Sequence, residues 1–455
     1  MDISKETAKE KTSETAPKKA KEKTSKPAQQ KNLHIDTKSL KYNTVLIIFI
    51  RFLIRNFVDK ILKIETEFIG LETVSPPYIV LPNHSSVIDP IIYHKLPQNK
   101  LHYIVSDTHF RNPFMKFFLQ QVGSISKKKN QNDIQTIREI MYVLKKQKES
   151  ICIFAEWFNT WDGTSQPVVE GTASLIKLMK LPVIVAQSHG AYLTRPRWGH
   201  QFRRGKIKLT FQLALTPQEI KTMSKEEIHL SISEHLTYNE FHNQQKHPIA
   251  FPSPTRCEHI ERVIFFCPHC KNKQGIVSHK QTVQCTFCKH TWFMDIYGSF
   301  HTHSYITENN LHQLNTKYPQ KSNSTSNNKQ LTNITDNIAS WNVWQKLYLE
   351  EYLKKIKNND IIFHDEDCVL RYGTTRLVNS FGKGRLTLTK DTLYFFPKDT
   401  SFVQQVFMLA NMKGINVQNK EKLEWTQGTI VYQIHPKNLR INTYKYMIAI
   451  QQLSL

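Results

Sequence analysis

From residue 67 to about 215, short apolar runs rich in β-branched residues alternate with stretches of helical period. The runs at 78–81, 151–155, 182–187 and 206–213 predict strands, and the stretches at 133–147 and 171–179 predict helices. Strands alternating with helices imply an α/β unit, here a mixed sheet flanked by helices. Ahead of it, residues 44–62 predict a helix in which Thr44, Arg51, Arg55 and Asp59 share one narrow stripe and Leu46, Phe49, Ile50, Phe52, Leu53 and Phe57 cover most of the circumference. Its uncharged run, 43–50, is too short to span a bilayer. That pattern suits either a helix lying in a headgroup layer or a core helix with exposed arginines. After a polar helical region at 216–245, the Pro-containing stretch 247–254 predicts a boundary near 250. Residues 314–336 have linker composition. Beyond them a helix opening at Trp341 and a run of short strands predict a β-rich C-terminal domain over 337–455, with a hairpin turning at Lys390-Asp391.

Composition narrows the class. The 455 residues are 39% hydrophobic, too apolar for a disordered chain and too polar for a polytopic membrane protein. Lys and Arg outnumber Asp and Glu by 62 to 38, a net charge of +24 that attracts polyanions, whether nucleic acid or anionic lipid. Residues 1–40 read as a disordered, Lys-rich arm without the apolar core of a secretory signal. Four of the seven cysteines form two C-x2-C pairs, Cys267/Cys270 and Cys285/Cys288, fourteen residues apart. Each pair turns two thiolates to one side, so together they predict a small zinc ribbon over 257–296 with a structural Zn. The pairs also imply a reducing, cytoplasmic setting.

One segment carries chemistry. Asn83-His84-Ser85-Ser86-Val87-Ile88-Asp89 follows the strand at 78–81. His-x4-Asp alone is weak, since His102/Asp107 and His290/Asp295 repeat it among 20 histidines. Only the first copy has the form N-H-x-S-x-x-D at a strand end. It is followed by Arg111-Asn-Pro-Phe114, by Gly123-Ser-Ile-Ser-Lys-Lys-Lys129, by Phe154-Ala-Glu156-Trp-Phe-Asn159 and by Leu181-Pro182-Val-Ile-Val185. In this order and spacing the blocks resemble the glycerolipid acyltransferase family, the lysophosphatidic acid acyltransferase-like enzymes. Lys129 stands where the family has arginine. The third block keeps Phe154 and Glu156 and has Asn159 in place of the family's arginine.

The resemblance implies an α/β acyltransferase domain over 41–250 with His84 and Asp89 as the catalytic pair. Histidine is the side chain suited to take a hydroxyl proton at cellular pH, with the aspartate holding its tautomer. It further implies that Asn83, Ser86, Gly123, Lys129, Glu156, Arg195 and Arg197 surround the substrate, the cations meeting a phosphate. The implied donor is acyl-CoA or acyl carrier protein, and the acceptor is the hydroxyl of 1-acylglycerol-3-phosphate or a related lysophospholipid. The helix at 44–62 and the basic surface would hold the protein on an anionic membrane surface, on its cytoplasmic face. The C-terminal strands faintly resemble a pleckstrin-homology or GRAM-type module. Two rival readings are a zinc-ribbon nucleic-acid-binding protein, the less favoured partner class, and a lipid-binding protein with little activity.

Overall fold

The computed structural model describes Leu40 and residues 43–96, 100–127, 133–302, 335–374, 377–419, 421–438 and 440–454. Lys128, Lys129, nearly all of the expected arm and residues 303–334 lie outside them.

Seven strands make the first sheet: β1 (Ile64–Ile69), β2 (Ile79–Pro82), β3 (Leu101–Ser106), β4 (Ile125–Lys127), β5 (Ser150–Cys152), β6 (Val183–His189) and β7 (Ile207–Leu215). Their order is β1-β7-β6-β2-β5-β3-β4, with every pair parallel except β6 and β7. The helix Gly171–Met179 falls where it is predicted, whereas 133–147 divides into the helix Ile134–Met141 and a π-helical turn, Tyr142–Gln147. β2 is buried at every position, as expected for a central parallel strand covered on both faces.

A four-stranded antiparallel sheet follows, ordered β11-β10-β9-β8: β8 (Ile276–His279), β9 (Thr282–Cys285), β10 (Thr291–Met294) and β11 (Phe300–Thr302). The third sheet is antiparallel throughout, ordered β15-β14-β13-β12-β18-β17-β16. Its strands are β12 (Phe363–Gly373), β13 (Asn379–Leu388), β14 (Thr392–Pro397), β15 (Gln405–Met408), β16 (Lys413–Gln418), β17 (Lys422–Gln427) and β18 (Ile430–Pro436). β13 and β14 form the hairpin expected around Lys390-Asp391, closed by the Thr389 N–H donating to the Thr392 carbonyl at 2.9 Å.

Packing does not stop at residue 250. One hydrophobic core runs from Trp161, Tyr192 and Trp198 through Cys257 and Trp292 to Trp341 and Trp425. A polar link reinforces it, the Asn342 amide donating to Asp162 at 2.6 Å.

The expected helix over 44–62 is present and continuous, with a π-helical turn over Ile54–Val58 between Thr44–Leu53 and Asp59–Leu62. None of Thr44–Leu53 is buried, and no described helix is long and apolar enough to cross a membrane. The expected polar stripe is also corrected. Asp59 is buried and ion-paired with Lys95, and Arg51 faces the cavity described below. Ile47, Ile50, Arg51 and Ile54 fall at i, i+3, i+4 and i+7, so Arg51 belongs to that inward face.

Candidate active site

His84 lies just past the carboxyl end of β2, where open α/β sheets present ligands. Pro90, in the first turn of the helix Asp89–Ile92, starts that helix so that Asp89 sits at its head. Asp89 Oδ2 is 2.8 Å from His84 Nδ1, and both carboxylate oxygens accept the Ser86 amide at 3.0 Å. Burial pushes the Asp89 carboxyl above its usual range, and the His84 ring and the Ser86 and Ser85 amides pull against it. With Nδ1 engaged by Asp89, Nε2 is the ring nitrogen left to take a substrate proton.

The third block and Thr160, which follows it, grip the backbone of His84 at both ends. Glu156 Oε1 accepts its N–H at 3.2 Å, and the Thr160 N–H donates to its carbonyl at 2.9 Å. Glu156 Oε2 accepts the Gln166 N–H at 2.9 Å. Burial raises the Glu156 carboxyl to about 8 against the pull of those two amides. Phe154 packs on the His84 ring with centroids 4.3 Å apart.

His84, Ser86 and Glu156 open on a cavity of about 1000 Å³. Its walls are mainly apolar, with Ile47, Ile50 and Ile54 on one side and Phe118, Leu119 and Phe154 among the others. Arg51, His109, Lys127 and Arg197 also line it.

A family model described as Acyltransferase matches residues 65–187, which contain the whole of this His84 arrangement. Residues 65–187 match an acyltransferase domain. Among solved structures, the 1-acyl-sn-glycerophosphate (LPA) acyltransferase PlsC from Thermotoga maritima is similar at 20% identity and a TM-score of 0.36, over 42% of this chain and 76% of that one. No curated protein matches the chain significantly.

The other two His-x4-Asp copies are built differently. His102 is fully buried, its Nδ1 on the Gly123 carbonyl and its Nε2 on Glu149, each at 2.7 Å. His290 stacks on His269, while Asp295 pairs with His301 at 3.0 Å.

Of the residues expected around substrate, Ser86, Glu156 and Arg197 reach the cavity, as does His84. Asn83 does not: it is buried, with Nδ2 on Ser85 at 2.9 Å and Oδ1 accepting from Tyr93 at 2.8 Å and from the Ser188 amide at 2.9 Å. Its amide is spent on bracing the strand end. Gly123 is buried in a left-handed conformation, φ 64°, with its carbonyl on His102, and its neighbours Val122 and Ser124 line the cavity instead. Arg195 offers its backbone carbonyl to the Ser86 hydroxyl at 2.9 Å, and its guanidinium lies over Phe202, away from the cavity. Arg197 is buried and donates to the carbonyls of Asn159, at 2.8 Å, and Val417, so it joins protein segments instead of offering a free fork. Lys129 lies outside the described residues. Sequence reasoning missed Arg51, which the spacing of Ile47, Ile50 and Ile54 could have revealed, and missed Asn416–Asn419, which no local signal marks.

The four cysteines of the pairs converge. The Sγ atoms of Cys267, Cys270, Cys285 and Cys288 all lie within 4.8 Å of one another, with Cys267–Cys288 at 3.7 Å and Cys270–Cys285 at 3.6 Å. Four thiolates at ~2.3 Å around a tetrahedral ion stand about 3.8 Å apart, so the cluster fits a metal ion. Lys271 and Lys289, each following the second cysteine of its pair, take left-handed conformations at φ 62° and 61°. Glycine would adopt that geometry more readily.

Proposed function

We propose that the chain moves a fatty acyl group from acyl-CoA or acyl carrier protein to the free hydroxyl of 1-acylglycerol-3-phosphate or a related lysophospholipid. The observation that carries this reading is the 2.8 Å His84–Asp89 pair opening into an apolar-walled cavity of about 1000 Å³. His84 Nε2 takes the proton of the acceptor hydroxyl as its oxygen attacks the thioester carbonyl. Asp89 keeps Nδ1 protonated and stabilises the imidazolium. The tetrahedral intermediate expels the thiolate, which takes the proton back from His84, leaving ester and free thiol without an acyl-enzyme. Arg51 and Lys127 on the cavity wall supply the cations for the acceptor phosphate.

Two further features belong to this reading. The cluster Cys267, Cys270, Cys285 and Cys288 holds a structural Zn, closed to substrate because four thiolates fill its coordination. The enzyme works as a peripheral protein on anionic lipid at the cytoplasmic face of a membrane. Support comes from the outward side of the helix Thr44–Leu53, where Ile48, Phe49 and Phe52 are more than half exposed, and from Phe114 and Phe117, which are also more than half exposed. Assaying the purified chain with both donor types against a panel of lysophospholipids tests the proposal. Transfer to a phosphate-bearing acceptor supports it, and lipid binding without transfer to any acceptor favours the lipid-binding alternative.

A further inference from the structure

The C-terminal sheet ends in the hairpin β16–β17, and this edge faces the acyltransferase domain. Asn416, Val417, Gln418 and Asn419 of that hairpin line the same cavity as His84, Trp157 and Asn159. Three arginines from outside the sheet fasten it there. Arg197 donates to the Val417 carbonyl, Arg111 lies 3.6 Å from Glu424, and Arg262 lies 3.4 Å from Glu421. Arg111 opens the block that leads into the helix Pro113–Gln121, and Arg197 also holds the Asn159 carbonyl at 2.8 Å. The hairpin is therefore tied to both flanks of the active site. Three of these four residues carry amides. Asn416 Nδ2 donates to the Gly414 carbonyl at 3.0 Å and Gln418 Nε2 to Glu424 Oε1 at 3.3 Å, so the protein holds each amide by one N–H and leaves its oxygen and second N–H for a ligand.

Resting on the acyltransferase reading, we infer that the β16–β17 hairpin is a specificity element of the active site that binds an uncharged, hydrogen-bonding arm of a substrate through Asn416, Gln418 and Asn419. Primary amides offer both donors and acceptors and so match hydroxyl or amide groups better than a phosphate, which cations serve. Asn159, standing where the family's arginine would be, extends the same neutral surface. Two substrates carry such an arm: an acceptor whose headgroup bears hydroxyls beyond the phosphate, and a thioester donor through the amides and hydroxyl of its pantetheine.

The test uses the full chain, palmitoyl-CoA as donor, and 1-acylglycerol-3-phosphate and 1-acylglycerophosphoglycerol as acceptors. In Asn416→Ala/Gln418→Ala we expect one KM to rise about five- to tenfold, with kcat and the other KM within about twofold. A rise in KM for the glycerol-bearing acceptor alone assigns the arm to the headgroup, and a rise for palmitoyl-CoA assigns it to pantetheine. Asn419→Gly removes one amide at an exposed, left-handed turn position, φ 45°, and serves if the double variant does not fold. Lys422→Ala, on β17 and outside the cavity lining, should change neither KM. Unchanged KM values in a folded variant, or a fall in kcat that tracks a lowered melting temperature, would overturn the inference. A wild-type chain without acyl transfer removes the acyltransferase reading itself and the inference with it.

Discussion

The Glu156 carboxyl accepts the backbone N–H of His84 at 3.2 Å, so the surviving acid of the third block holds the histidine of the first. Its buried carboxyl titrates near 8, far above an unfolded glutamate at about 4.3. Between those values the unfolded chain has lost a proton that the folded chain keeps, so this group makes stability fall as pH rises from about 5 to 8. Glu156→Gln removes the titration. The melting temperature of wild type relative to Glu156→Gln should therefore decline across that window, and a difference independent of pH would contradict the assignment.

Arg51 and Lys127 line the same cavity as His84. Losing a charge-assisted hydrogen bond is worth roughly 1.5–3 kcal/mol, so Arg51→Gln and Lys127→Gln should each raise KM for 1-acylglycerol-3-phosphate by about ten- to a hundredfold with little change in kcat. A monoacylglycerol, lacking the phosphate, should be indifferent to either change. Equal effects on both acceptors would show that these cations do not read the phosphate.

The parts that could be read along the chain are those fixed by local pattern. β2 is a continuous apolar run, the helix Gly171–Met179 has its own period, and the His84 block ends a strand. β1 escaped notice because it is a parallel edge strand in which Glu65 and Glu67 break the apolar run, and its partner strand β7 lies far along the chain. Salt bridges to Lys206 and Lys208 satisfy those glutamates, a fact visible only after folding. Arg195 and Arg197 look equivalent in sequence, yet one lies over Phe202 and the other joins Asn159 to Val417. Only the tertiary fold sets them apart. The same holds for the β16–β17 hairpin, whose place at the active site depends on contacts between residues more than two hundred positions apart.

Metal analysis of the reduced chain should find about one zinc ion. Cys270→Ser/Cys288→Ser should lose it and melt at lower temperature, because metal binding to a four-thiolate site is coupled to folding. Cys257 is buried outside the cluster, so Cys257→Ala should retain the ion. A zinc content unaffected by the double change would refute the site.

Phe49 and Phe52 are 56% and 58% exposed, so Phe49→Glu/Phe52→Glu should fold normally. Wild type should sediment with phosphatidylglycerol vesicles and release as salt rises, each well-placed basic residue contributing ~1 kcal/mol. The double variant should fail to sediment at any salt. Retained sedimentation of a folded double variant would exclude this helix as the anchor.

The most direct measurement is the rate of acyl transfer by purified His84→Ala beside wild type and Asp89→Asn, with circular dichroism on each. A positioned base contributes about 10²–10⁴ in rate, so folded His84→Ala should lose transfer by at least a hundredfold, with Asp89→Asn falling in the same direction. Folded His84→Ala with wild-type activity would contradict the account.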